Sequence, residues 1–193
     1  MLTRGYFVRS EDGVERPYGK DCIQHEFGIG AHRGIPDLTI RDGAPNSKRN
    51  NSRRNDSLHV DHDDTLIAKR YLLLRSRLAE LPYADNGLRY QQLADIHAQY
   101  VNTGELSASE VNHIVAIERH QRTPHKYKAI NLLDVHTALR QIDKKIRNAT
   151  SDKSVEYLNS IRHGKHGLLP NLRLSQKQIM QTDLKLHKNA FQF

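Results

Sequence analysis

Apolar residues at three- and four-residue intervals, polar caps before them and glycine or proline after them mark most of this chain as helical. The class they predict is mainly α: a helical bundle of about six helices over residues 57–193, preceded by a small β-rich module over residues 1–43. Between the two, residues 44–56 read Ala-Pro-Asn-Ser-Lys-Arg-Asn-Asn-Ser-Arg-Arg-Asn-Asp. They hold no large apolar side chain and are expected to form a flexible basic linker.

In the N-terminal module, Tyr6-Phe7-Val8 and the residues after Gly13 flank Glu11-Asp12-Gly13, and Asp-Gly between short apolar segments signals a hairpin. Gly19, Gly28, Gly30, Gly34 and Gly43, with Pro36 and Pro45, favour loops and short strands beyond it. After the linker, Asp63 or Asp64 is placed to cap a helix over 65–81, with Ile67, Tyr71, Leu74, Leu78 and Leu81 in one stripe and Pro82 as its stop. A second helix over 88–101 carries Leu93, Ile96, His97, Tyr100 and Val101 on one face and ends before Gly104.

Ser107-Ala108-Ser109-Glu110 is a capping box, in which the serine hydroxyl serves the third helical amide and the glutamate reaches back. The helix it opens aligns Val111, Ile114, Val115 and Glu118 and must stop before Pro124. Thr123-Pro124 offers an N-cap followed by proline at a first helical position. It predicts the longest helix over 124–148, with Leu132, Val135, Leu139, Ile142 and Ile146 in register. Thr150-Ser151-Asp152 opens a shorter helix with Val155, Leu158 and Ile161, closed by Gly164. Ser175 and Gln178 repeat the capping logic for a last helix through Ile179, Met180, Leu184 and His187.

Apolar residues make up 37% of the chain, which predicts a modest core. No apolar run approaches the roughly 18 residues that span a bilayer. The start, Met1 to Ser10, has neither the apolar stretch nor the small-residue cleavage site of a secretion signal, and Glu11, Asp12 and Glu15 argue against a mitochondrial one. With Cys22 as its one cysteine the chain forms no internal disulfide. The expected compartment is cytoplasmic, with export as a bacterial effector as the alternative.

The net charge of +8 is unevenly placed. Residues 1–56 carry a net +2 and residues 57–122 a net −2. Residues 123–193 hold thirteen Lys/Arg against five Asp/Glu, and so the whole excess. Such asymmetry points to a polyanionic partner, either nucleic acid or an acidic protein or membrane surface.

Within that region Arg140, Lys144, Lys145 and Arg147 are expected on the polar side of the longest helix. Arg162-His163-Gly164-Lys165-His166-Gly167 follows as a basic, glycine-bearing loop. Arg162, Lys165 and His166 would supply charge there, and glycine lets backbone amides approach an anion. The spacing is not that of a Walker loop. Aromatic residues are few, namely Tyr127, Tyr157, Phe191 and Phe193, which favours phosphate contact over base stacking.

Three further constellations carry weaker chemistry. His59-Val60-Asp61-His62-Asp63-Asp64 contains ligand types suited to zinc, with His59, Asp61 and His62 as the candidates. It holds the His-x-Asp-His half of the pattern in metallo-β-lactamase-like hydrolases, but Ser57 stands where that pattern needs its first histidine. The plainer reading is a helix start whose aspartates complement the dipole. Cys22, with His113 or His136 and Asp134, contains the residue types of a thiol triad, although twelve histidines make such sets easy to assemble. Gly28-Ile29-Gly30-Ala31-His32-Arg33-Gly34 reads as a turn, since Pro36 follows too soon for a helix.

The function these observations predict is that of a nucleic-acid-binding accessory or regulatory protein, not an enzyme and without a cofactor. The alternatives are a secreted effector or Cys/His enzyme using Cys22, and an inhibitor that covers an acidic surface of a protein partner.

Overall fold

A computed structural model describes residues 5–9, 15–19, 62–81 and 86–193, with side chains for 63–81 and 86–193. The chain divides into two units, residues 1–36 and 37–193. In the first, β1 (Gly5–Arg9) and β2 (Glu15–Gly19) pair antiparallel, with Tyr6 opposite Tyr18 and Val8 opposite Arg16. The rest of the expected module and the whole of linker 44–56 lie outside the described residues.

The second unit is a helical bundle. Six of its described helices are seven residues or longer: α1 (His62–Ala79), α2 (Gln91–Thr103), α3 (Ala108–Arg119), α4 (Ala129–Arg147), α5 (Asp152–His163) and α7 (Gln176–Thr182). A one-turn helix, α6 (Leu168–Asn171), precedes the last of them, and a short 3-10 turn (His125–Tyr127) precedes α4. Helix α1 is central and packs on α2, α3 and α4, while α5 packs on α4 and α6 on α5. That position explains its pattern: Ala68, Tyr71, Leu72, Leu74 and Leu78 are all fully buried, because neighbours cover more than one side of it. Leu132, Val135, Leu139 and Ile142 of α4 enter the same core, as do Ile114 of α3 and Leu168 of α6.

A charged side chain ties this core together. Arg75 lies one turn after Tyr71, on the apolar face, and is 8% exposed. Its Nη1 donates to the Tyr71 hydroxyl (2.7 Å) and its Nε to the Leu88 carbonyl (3.0 Å), while its guanidinium sits 5.4 Å from the Tyr127 ring centre. Tyr127 in turn donates to the Asn86 carbonyl, and Asn86 donates to the carbonyl of Leu169 (2.9 Å) and accepts from the amide of Leu88. One buried polar network therefore joins α1, the segment entering α2, the 3-10 turn and α6. Carbonyl dipoles and aromatic faces stabilise the buried cation.

Several elements differ from expectation. Asp63 and Asp64 do not cap α1; they lie in its first turn, where they complement the dipole, and Asp64 pairs with Arg119 of α3. Expected stop Pro82 lies outside the described residues. Helix α2 begins three residues later than predicted, and Val101 is 66% exposed, off the buried face that Leu93 and Ile96 define. Gly104 ends it in the left-handed conformation, with φ of 72°.

Thr123 and Pro124 do not open the longest helix. Thr123 instead donates to the Ile117 carbonyl (2.8 Å), closing α3, and Pro124 starts the 3-10 turn. Helix α4 has no side-chain cap of its own at Lys128; Glu118 accepts from the amide of Ala129 (3.0 Å) in place of one. Lys128 returns the favour by donating to the Glu118 and His120 carbonyls at the end of α3. Helix α7 stops at Thr182 rather than running to His187, because Asp183 turns left-handed with φ of 47°.

Candidate functional site

Arg140, Lys144 and Arg147 share one stripe of α4. At 100° per residue the spacing i, i+4, i+7 keeps them within an arc of about 60° over a rise of about 10 Å. All three are exposed. Lys145 departs from the expected set: it lies about 140° around the helix from Arg140. It is half-buried there, and its charge bears on Asp183, whose carboxyl is held below the usual range chiefly by its hydrogen bond to Lys185.

Arg162 is engaged within the fold. Its Nη1 lies 3.4 Å from Asp143 Oδ1, bridging α5 to the turn of α4 that bears Lys144. Lys165 and His166 are exposed in the turn between α5 and α6. The glycines of that turn answer to internal packing. A Cβ on Gly164 would meet the Ser160 carbonyl oxygen at 2.5 Å, and one on Gly167 the Ile161 oxygen at 2.7 Å. Their amides donate to Ser160 and to Gly164 respectively, so neither N–H is offered to an anion. What the turn presents to solvent is the side chains of Lys165 and His166.

Of the remaining candidates the structure describes only a part. Cys22, His59 and Asp61 lie outside the described residues, as does the side chain of His62. Among the described residues no group of three or more His, Cys, Asp or Glu is placed to hold a metal ion. Asp134 and His136 are both buried on α4, but residues two apart on a helix point away from each other, so they form no acid–imidazole relay. His136 is 6% exposed, and its Nε2 finds no hydrogen-bond partner among the described residues. Burial, reinforced by Arg77 and Arg140, lowers its pKa to about 3, so the ring is neutral at physiological pH. His113 instead faces a shallow groove of about 330 Å³ between α2 and α3, along with Gln92, Asp95, Gln99, Ser109 and Glu110.

The turn between α3 and α4 adds a feature absent from the sequence reading. Residues 119–128 contain six Arg, Lys or His side chains and no acid. Exposed His125 stacks on Phe193, with ring centres 5.8 Å apart and planes inclined by 11°. Lys126, next in the chain, holds its ammonium 4.8 Å from the centre of the Tyr127 ring. Phe191 and Ala190, both buried, anchor the C-terminal segment, so Phe193 at 48% exposure is not its hydrophobic anchor.

No protein-family model, curated protein or solved structure matches the chain. Among the described residues no helix is long and apolar enough to cross a membrane.

Proposed function

We propose that this protein binds nucleic acid as an accessory or regulatory component, holding backbone phosphates with the basic residues of its C-terminal helical region. The observation that carries this reading is the exposed stripe of Arg140, Lys144 and Arg147 on α4, in a region with thirteen Lys/Arg against five Asp/Glu. Lys165 and His166, exposed at the α5–α6 turn, extend the basic surface. Each phosphate neutralised on a duplex releases counterions, so affinity must fall with salt.

Replacing Arg140, Lys144 and Arg147 together by glutamine tests the reading. Binding should weaken, and the slope of log affinity against log salt should shrink by about 2 to 3 on duplex DNA. Lys145→Gln, on the other side of the helix, should leave both nearly unchanged. Affinity and slope that survive the triple change with the fold intact would contradict the site. Tight, salt-sensitive binding to an acidic protein but to no nucleic acid would transfer the surface to a protein partner.

A further inference from the structure

We propose that the His125–Phe193 stack is a platform for an unpaired base, so that the nucleic acid this protein holds includes a single-stranded segment. The inference rests on the phosphate-binding reading and adds to it the kind of strand that is bound. Thr123, Lys128 and Glu118 latch the α3–α4 turn by hydrogen bonds to Ile117, Glu118, His120 and Ala129, so the turn is held at both ends. The turn then presents His125 on the surface in near-parallel contact with Phe193.

An aromatic ring that is 48% exposed, stacked on a residue of a basic turn and not needed to anchor its own segment, has the composition of a base-stacking site. Every nucleobase has a π-face, so stacking there is tolerant of sequence but requires the base to leave its duplex. Lys126 follows His125 in the chain, with its ammonium over the Tyr127 ring, and Arg122 is exposed three residues before His125. These two cations of the same turn are the groups that would meet phosphates flanking a stacked nucleotide. No carboxylate stands between Arg119 and Lys128 to oppose them.

Fluorescence anisotropy with three labelled probes tests the proposal: a single-stranded oligothymidylate, the same backbone with abasic residues, and a duplex of equal length. Wild-type protein should bind the base-bearing strand on the order of tenfold more tightly than the abasic one, the size expected for one stacked base. Phe193→Ala and His125→Ala should each shrink that ratio towards one, while Phe193→Trp keeps it and Met180→Ala, exposed on α7, leaves it untouched. Circular dichroism would verify that each variant retains the helical fold. Equal affinity of wild-type protein for base-bearing and abasic strands, with steep salt dependence, would overturn the platform and leave the phosphate site standing. A ratio that Phe193→Ala fails to change would overturn it as well. Absence of binding to all three probes at low salt would remove both readings.

Discussion

His136 sets the pH behaviour expected of the bundle at the level of one residue. Its pKa is lowered from 6.5 to about 3 in the folded protein, by burial first and by Arg77 and Arg140 next. In the unfolded chain the same ring takes up a proton near pH 6.5, so the unfolded state binds more protons throughout that interval. The stabilisation is therefore complete above pH 6.5 and is lost as pH falls towards 3, by about 1.4 kcal/mol per unit within the window. Urea unfolding of wild type and His136→Leu should differ by a constant amount above pH 6.5, with the difference moving in favour of the variant below it. Parallel curves across pH 4 to 7 would contradict a neutral buried imidazole. Arg75 makes a second prediction at this scale. Arg75→Met keeps the volume but strands the Leu88 carbonyl and the Tyr71 hydroxyl, and should cost roughly 2–4 kcal/mol of unfolding free energy. Neither role was legible in the sequence. Arg75 stands one turn from its acceptor Tyr71 on an apolar face, and that misplaced charge was the available signal; a second acceptor, the Leu88 carbonyl, comes from the segment entering α2. His136 reads as one histidine among twelve, because its burial follows from tertiary packing on α4 and not from its neighbours in sequence.

At the scale of elements, the ends whose caps lie within one stretch of sequence were the readable ones. Both capping boxes form: Ser107 with Glu110, and Ser175 with Gln178. Ser151 likewise caps α5, and Gly104 closes α2. Ser107→Ala should lower stability by about 1 kcal/mol, measured as a shift in the urea midpoint with unchanged slope. An unaltered midpoint would mean that the box contributes nothing in this context. Ends decided by tertiary partners were not readable. The start of α4 depends on Glu118, eleven residues before Ala129, and so Thr123-Pro124 gave a false start. The basic stripe was misjudged for a different reason: helical spacing groups Arg140, Lys144 and Arg147 and separates Lys145, whereas the expected set kept all four on one polar side. The α3–α4 turn was hidden differently: a charge division at residue 122 cuts through its basic run, and the aromatic partner of His125 lies 68 residues away.

The whole molecule combines a core held by α1 with a surface whose positive excess lies on the elements wrapped after residue 123. Mainly helical architecture followed from periodicity, since stripes of Leu, Ile and Val at helical spacing can be buried only against one another. Partner class rests on charge and exposure, which sequence locates along the chain and structure gathers onto faces. The measurement that bears most directly on this account is a fluorescence-anisotropy titration of the full chain with labelled duplex DNA and RNA at two salt concentrations. With three or more phosphates neutralised, affinity for duplex DNA should fall by at least about 30-fold between roughly 50 mM and roughly 200 mM salt. Binding that is absent at low salt, or indifferent to salt, would contradict it.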